Sequence, residues 1–203
     1  MKIKRSLLCL LMALAMVITL SACSRDGKSD KDNDDEKGSN SAKDVASAFV
    51  GAYCAGNLKK ADGYCLITTE TRLERTAKNY DMTLDEYLDR EYDCDSMKEY
   101  WKEAEEDAKD ALEDLYGKHV EVKTEKVRKV SKYTNSQLKS FKENREYTFD
   151  TYDLDVDKAD AVTEITIQAQ IEGSDDSDQY EFTVIVVKYN GTWKILELNQ
   201  YKL

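Results

Sequence analysis

The sequence predicts an α+β fold in which N-terminal helices pack on a curved, mostly antiparallel sheet that ends in a three-strand meander. Apolar residues in the first half of the chain recur with the helical period, whereas those in the second half alternate with polar residues. Near the C-terminus, Asn190-Gly191 separates two runs rich in β-branched and aromatic residues, which is the strongest hairpin signal in the chain. Because the helical signals come first, we expect segregated helices and strands rather than an alternating α/β chain.

Capping signals place the first helices. Ser41 and Asp44 have the spacing of a capping-box variant, and a helical apolar face follows through about Ala55. Gly56-Asn57 ends this helix, and a short second helix carries Leu58, Ala61 and Cys65. A further helical segment is predicted after Thr83, where Glu86 completes another box.

The clearest helix is predicted to start at Ser96 and to stop at Gly117. Its apolar positions recur at alternating spacings of four and three residues: Met97, Trp101, Ala104, Ala108, Ala111 and Leu115. A partner helix in a coiled coil is one interpretation of this stripe. Packing on the protein's own sheet is the other, and it is favoured because the stripe spans fewer than three heptads.

The strands are predicted from alternation. Residues 119–133 indicate a strand. Its alternation of apolar and polar residues changes phase at Val127, which predicts a bulge. Thr134 then caps a short helix. Alternation over residues 152–157 favours another strand. The meander follows as residues 161–171, an acidic turn at 173–176, and the hairpin of residues 180–201.

Composition narrows the classes of function. The chain has 203 residues, no proline and a net charge of −11. Nucleic-acid binding is disfavoured because phosphates require a surplus of Lys and Arg. A hydrophobic content of 41% is enough for a core, so the chain is not disordered throughout.

The first 23 residues resemble a lipoprotein export signal. Residues 1–5 are basic and residues 6–20 are apolar, a stretch shorter than the about 20 residues that span a bilayer. Leu20-Ser21-Ala22-Cys23 resembles the lipobox of bacterial lipoproteins. The resemblance implies removal of residues 1–22 and lipidation of Cys23, which would anchor the protein in the cell membrane on its extracytoplasmic face. An ordinary secretory signal followed by chance by a cysteine is the alternative.

Residues 23–41 are predicted to be the lipidated cysteine and a flexible acidic tether. Residues 24–41 contain only polar, charged and glycine residues, which cannot build a core. A single α+β domain is expected over residues 42–203.

Metal and cysteine patterns are weak. Asp153, Asp155, Asp157 and Glu164 occupy positions one, three, five and twelve of a calcium loop, but Lys158 replaces the glycine of position six. A strand plus a turn is favoured, with a weak calcium site as the alternative. Cys54, Cys65 and Cys94 lack zinc-ligand spacing. A Cys65–Cys94 disulfide is possible, and three reduced, buried thiols are its rival. No cofactor is implied.

Catalytic signals are also sparse. His119 is the only histidine, it stands at a predicted strand end, and no nucleophile motif accompanies it, so no catalytic residue is assigned. Aromatic residues are numerous, with 13 tyrosines. Tyr53, Tyr64, Trp101 and Trp193 are candidates either for a ligand pocket or for the packing between helices and sheet.

Two stretches resemble nuclear-transport-factor-2-like domains, which occur in small bacterial lipoproteins. The first is AFVGAYCAGNLKKADGYC (residues 48–65). The second comprises KADAVTEITIQ (158–168) and YEFTVIVVKYNGTWKILEL (180–198). The resemblance implies a cystatin-like cone, in which a bent sheet wraps helices and often leaves a cavity. Residues 80–146 depart from that pattern by adding helix.

Three functional hypotheses result. The leading one is a non-catalytic binding or accessory domain of the bacterial cell envelope that uses the cone cavity or the open sheet face, with an unknown small-molecule or protein ligand. The second is a small hydrolase or isomerase with carboxylate and tyrosine acid–base groups. The third is a protein–protein interaction module that pairs through the charged helix 96–116 or the sheet. The residues favour a role without catalysis.

Overall fold

A computed structural model describes residues 41–203 and shows the predicted mixed architecture of helices and an antiparallel sheet. The predicted signal peptide, Cys23 and the tether up to residue 40 lie outside the described residues. In chain order the elements are α1 (Ala42–Cys54), α2 (Leu58–Asp62), α3 (Thr69–Asn79), α4 (Leu84–Tyr92), α5 (Met97–Tyr116), β1 (Glu121–Lys132), α6 (Asn135–Thr151), a 3₁₀ turn (Val156–Lys158), β2 (Ala159–Glu172), β3 (Ser177–Tyr189) and β4 (Thr192–Lys202).

Within the described residues the sheet has four antiparallel strands in the order β1-β2-β3-β4, so each strand pairs with its neighbour in sequence. The predicted meander is therefore confirmed, with β1 added at its edge. Asn190 and Gly191 have φ values of 49° and 77°, as a two-residue type I′ turn requires.

Bulges interrupt all three strand pairs. β1 contains two register shifts, between Thr124 and Lys126 and between Val127 and Lys129, which confirms the bulge predicted from the change of parity at Val127. Each bulge increases local twist and bends its strand. The open, bulged sheet with helices on it is compatible with a cone-like α+β fold.

The predicted helix caps are present. Ser41, Thr83 and Thr134 each form a reciprocal capping box with the residue three positions later. Ser96 accepts a hydrogen bond from the Glu99 amide at 3.4 Å. These caps satisfy backbone donors that a helix start otherwise leaves unpaired.

Two cores lie on opposite faces of the sheet. On one face, α1, α2 and α5 cover the alternate residues Ile165, Ile167 and Ala169 of β2. On the other, Phe141 and Phe149 of α6 cover a smaller area that includes Val162, Ile185 and Val187. A third cluster joins α3 and α4 around Leu73, Ala77, Tyr87, Leu88 and Cys94.

The structure differs from the sequence-based expectations in three places. Helix α3 was not predicted, because its buried apolar residues are only Leu73 and Ala77. The helix after Thr134 has 17 residues and is not short. The strand predicted for residues 152–157 is wrong, because this segment ends α6 and then forms the 3₁₀ turn.

No helix in the described range 41–203 combines the length and apolar character that crossing a membrane requires.

Candidate functional site

A recess lies at the outer edge of β4, where the connection between α2 and α3 joins the sheet. The Leu66 amide donates to the Ile195 carbonyl at 2.7 Å, and the Ile195 amide donates to the Tyr64 carbonyl at 2.9 Å. The recess has an interior of about 20 Å³, which admits about one water-sized group. Its lining residues are Phe49, Asp62, Cys65, Arg72, Ile195, Leu196, Glu197 and Leu198.

Asp62 and Arg72 bring opposite charges to this recess from the two helices beside it. Asp62 ends α2, is 8% exposed, and accepts hydrogen bonds from the Thr69 amide at 2.7 Å and the Thr69 hydroxyl at 2.8 Å. These bonds attach the start of α3 to the end of α2, and Arg72 follows within the first turn of α3. Because donors already occupy one carboxylate oxygen of Asp62, this side chain is held in place rather than free to reorient.

Glu197 borders the recess, and its carboxyl group contacts α6. Its side chain is 15% exposed and forms an ion pair with Arg145 of α6. Burial raises the pKa of Glu197 above its ordinary value, and the Arg145 charge opposes that increase. Desolvation therefore outweighs the ion pair at this position.

A second carboxylate and a tyrosine stand near Glu197 on the α6 side of the sheet. In the strand register, Glu164 and Glu197 are each paired with Ile185, so their backbones are about 10 Å apart at the usual strand spacing. Burial raises the pKa of Tyr133, and the charges of Glu164 and Glu197 raise it further while Arg145 opposes them. Glu197 thus connects the recess with a carboxylate–tyrosine–arginine group.

Cys65 supplies the only thiol among the recess-lining residues. Its Sγ donates to the Ala61 carbonyl at 3.8 Å. Burial, followed by the Asp62 charge, raises the pKa of Cys65 to about 12, although Arg72 and Lys194 act in the opposite direction. At neutral pH this group is a thiol, and a thiol is a poor nucleophile and a poor metal ligand.

The predicted disulfide is not formed. Cys54, Cys65 and Cys94 are free and buried. Cys65 belongs to the core under α1, whereas Cys94 belongs to the α3–α4 cluster and donates to the Glu103 carboxylate at 3.6 Å. The prediction rested on helical position alone, and the fold places the two residues in separate clusters.

The predicted pocket aromatics pack in the core. Tyr53 and Trp101 are 9% and 7% exposed, and Tyr64 and Trp193 are partly buried against the same core. The Tyr53 ring contacts Phe49 and Phe182, with ring centroids 6.0 and 6.3 Å apart. Of the two interpretations given for these residues, packing between helices and sheet is the one that the structure shows.

The calcium alternative is not assembled either. The Asp155 carboxylate accepts from the Asp157 amide at 3.0 Å, and Asp157 pairs with Lys142 at 3.6 Å. Glu164 lies within β2 opposite Ser131, and Asp153 lies at the end of α6. Among the side chains that the structure describes, no group of three or more His, Cys, Asp or Glu could hold a metal ion. His119 is an exposed turn residue with φ of 60°.

None of the recess residues Asp62, Arg72 and Glu197 was predicted from the sequence, nor was Arg145, the ion-pair partner of Glu197. One signal was present for Glu197, because the consecutive apolar residues Ile195 and Leu196 break the alternation of β4 just before it. That break is the register shift by which Glu197 pairs with Ile185 while Ile195 pairs with Val186. Asp62, Arg72 and Arg145 have no local pattern, because each meets its neighbours through the tertiary fold.

Comparison of the chain with models of protein families, with curated proteins and with solved structures gave no match.

Proposed function

We propose that this protein is a lipid-anchored, extracytoplasmic binding or accessory domain of the bacterial cell envelope, and that it holds one polar end of its ligand in the β4 recess. Anchoring at Cys23 is supported by the lipobox resemblance and the basic and apolar residues before it. The nuclear-transport-factor-2-like relationship is supported by the two stretches that resemble that family and by the compatible α+β architecture.

The chemistry of the recess carries the binding proposal. Its lining combines Arg72, Asp62 and apolar side chains around a water-sized space, and its thiol is protonated at neutral pH. Such an arrangement suits recognition of one charged group by hydrogen bonds and ion pairing. It offers no activated nucleophile for covalent chemistry.

Anchoring is tested by the mass and partition of the protein purified from its native membranes. We expect a Cys23 N-terminus carrying diacylglycerol and transfer of the protein into a detergent phase. A Cys23→Ser variant serves as the control, since it removes the lipid acceptor and should stay in the aqueous phase. A native protein that carries an unmodified N-terminus would contradict this half of the proposal.

Binding is tested by titrating acetate and methylammonium into isotopically labelled protein and following backbone amide shifts. The Arg72 charge predicts that acetate perturbs residues 64–72 and 195–198 and that Arg72→Gln abolishes the effect. Arg75→Gln is a matched control in the same helix, because Arg75 is exposed and absent from the recess lining. If only methylammonium shifts these amide signals, the recess binds cations. If neither compound shifts them, the proposed binding site is wrong.

The acid–base alternative, a small hydrolase or isomerase, is favoured by one observation, namely the raised pKa of Glu197 beside Tyr133 and Glu164. A carboxyl group that stays protonated closer to neutral pH can act as a general acid. We expect Arg145→Gln to raise the Glu197 pKa further, because it removes the opposing charge. Carbon-detected titration of the Glu197 carboxyl group measures this change.

The same titration has a consequence for stability. A carboxyl group with a raised pKa favours the folded state when protonated, so its contribution is lost as pH rises from the unfolded pKa through the folded pKa. We expect Glu197→Gln to flatten the dependence of the unfolding free energy on pH in that window. An unchanged slope would mean that Glu197 titrates normally and would remove the observation that favours catalysis.

A further inference from the structure

Charge is segregated strongly within the domain. Residues 118–132, which comprise β1 and the preceding turn, contain six basic and two acidic residues, whereas residues 41–203 as a whole carry 23 basic and 35 acidic residues. This segment therefore carries a charge of +4 within a domain of −12. Helix α5 carries eight acidic and three basic residues and packs on the first core, on the opposite face of the sheet from the residues described next.

The second bulge of β1 brings three of its cations to one face of the sheet. Lys126 pairs with Gln168 and Lys129 pairs with Thr166, and directly paired residues point to the same side of a sheet. Arg128 is the extra residue of the second register shift, and its Nε donates to the Gln168 side chain at 2.7 Å. Without the shift, Lys126 and Lys129 would point to opposite faces.

These three cations are not neutralised within the described part of the chain. Lys126, Arg128 and Lys129 are exposed, and none of them has an ion-pair partner among the acidic side chains that the structure describes. The partner of Arg128 is a neutral amide. The surface formed by Lys126, Arg128 and Lys129 is called the β1 basic face below.

We propose that the β1 basic face lies against the anionic phospholipid headgroups of the membrane that carries the Cys23 anchor. This inference rests on the proposed anchoring. Charge complementarity supports it, because lysine and arginine clusters near a membrane are attracted to anionic lipid. The anchor supplies the proximity, since the 18 residues that follow Cys23 span about 21–25 Å if they behave as the coil that their composition predicts.

The negative net charge of the domain does not prevent this contact. A domain of this length has a radius of gyration of about 15 Å, so its acidic face lies about 30 Å from the lipid when the basic face is in contact. The screening length at physiological salt is only about 8 Å. The lipid surface therefore interacts mainly with the charges that face it, and the orientation with β1 toward the membrane is the favoured one.

The test uses the lipidated protein in two kinds of vesicle. One is phosphatidylcholine alone, and the other contains about one third phosphatidylglycerol, which gives an anionic surface. Amide hydrogen exchange is followed for peptides from β1 and α5. We expect exchange in β1 to slow on the order of tenfold on the anionic vesicles, with no change in α5 and a return to the neutral-vesicle rate at about 1 M salt, where charges are screened. The variant Lys126→Glu, Arg128→Glu, Lys129→Glu should lose the protection.

A matched control reverses three exposed cations of α5: Lys98, Lys102 and Lys109 to Glu. It changes the net charge by the same amount and should leave the β1 protection intact. Melting curves show that both triple variants are folded, and if the β1 variant is not, the salt dependence of the unmodified protein decides instead. Equal exchange of β1 on neutral and anionic vesicles would overturn the proposal.

Two further arms separate the possible explanations. Polyglutamate in solution replaces the vesicles in one arm, and protection as strong as that by anionic lipid would assign the surface to a soluble polyanion and overturn the proposal. In the other, protein without native lipid is coupled through Cys23 to a maleimide phospholipid. If β1 is protected in this coupled protein but the native protein proves to carry no lipid, the proposed anchoring is wrong and the contact between the β1 basic face and anionic lipid is still supported.

Discussion

Burial makes the three cysteine thiols of the domain unreactive. Burial raises the pKa of Cys54 and of Cys65 to about 12 and that of Cys94 to about 11. A thiol with such a pKa is almost wholly protonated at neutral pH, and its buried position also excludes reagents. The three residues therefore act as small apolar side chains.

Thiol titration at pH 8 checks this interpretation. With Cys23 blocked by its lipid, we expect the folded protein to react with a thiol reagent only on the timescale of unfolding and the denatured protein to show three thiols. The control is the same titration after reduction, which should not increase that number. A single thiol in the denatured, unreduced protein would indicate one disulfide, as the sequence alone allowed.

Two glycines permit a close approach between the end of α5 and the loop from β2 to β3. A Cβ at Gly117 would lie 2.4 Å from the Ser174 hydroxyl, and one at Gly173 would lie 2.2 Å from the Tyr116 carbonyl. Backbone bonds join the same segments, with the Ser174 amide donating to the Lys118 carbonyl at 3.0 Å. Gly117 also has φ of 79°, a conformation that other residues rarely adopt.

Gly117→Ala should therefore destabilise the protein by about 2–4 kcal/mol, because it adds a steric clash to the cost of positive φ. Gly191→Ala is the matched control, since Gly191 has φ of 77° and no atom near its Cβ position. We expect about 1 kcal/mol for that control. Denaturant unfolding measures both changes, and equal values would show that the loop moves aside freely.

At the scale of the element, α6 depends on the face it buries. Phe149 is fully buried and contacts Phe141 and Tyr189, with ring centroids 6.4 and 6.0 Å apart. Two residues away, Tyr147 is 81% exposed. The helix therefore stays on the sheet through its aromatic stripe.

We expect Phe149→Ala to cost about 3–5 kcal/mol, since it removes a buried aromatic ring and leaves a cavity. Tyr147→Ala in the same helix should change the unfolding free energy by less than about 0.5 kcal/mol. Chemical denaturation compares the two variants. Similar losses would mean that α6 is not held by the core of which Phe149 is a part.

The end of α6 explains why the strand predicted at residues 152–157 is absent. The Leu154 amide donates to the Phe149 carbonyl at 2.9 Å and the Asp153 amide to the Asp150 carbonyl at 3.1 Å, the pattern of a Schellman cap. Asp153 occupies the left-handed position with φ of 55°, where glycine is usual. Tyr152, Leu154 and Val156 then pack against the second core. Every second residue is therefore partly buried here without a strand, and this is why the sequence pattern resembles that of a strand.

For the whole molecule, the three clusters predict unequal local stability. The central strands β2 and β3 are covered on both faces over part of their length, whereas α3 and α4 pack chiefly on each other and on the start of α5. Elements with few tertiary contacts open without global unfolding.

Native-state hydrogen exchange at increasing denaturant tests this. We expect amides of α3 and α4 to exchange through a local opening well below the free energy of global unfolding, while those of β2 and β3 exchange only by global unfolding. Amides of α1 provide the internal control, since α1 packs on all four described strands. One common opening free energy for all elements would show that the α3–α4 cluster is fully integrated.

The sequence by itself determined the features that depend on neighbouring residues. The Asn190-Gly191 turn, the caps at Ser41, Thr83 and Thr134, the strand alternation of β2 and the bulge in β1 each follow from a local requirement for φ, a hydrogen bond or a face. The α+β class followed from their order.

Only the tertiary structure decided what these elements bring together. Phe49, Asp62, Arg72 and Glu197 meet at the recess although up to 148 positions separate them, and Arg145 of α6 forms an ion pair with Glu197. The separation of Cys65 from Cys94 and the burial of Tyr53 and Trp101 were decided in the same way. Local periodicity specifies which face a side chain occupies, but the identity of its neighbours depends on how whole elements pack, and that is a property of the assembled chain.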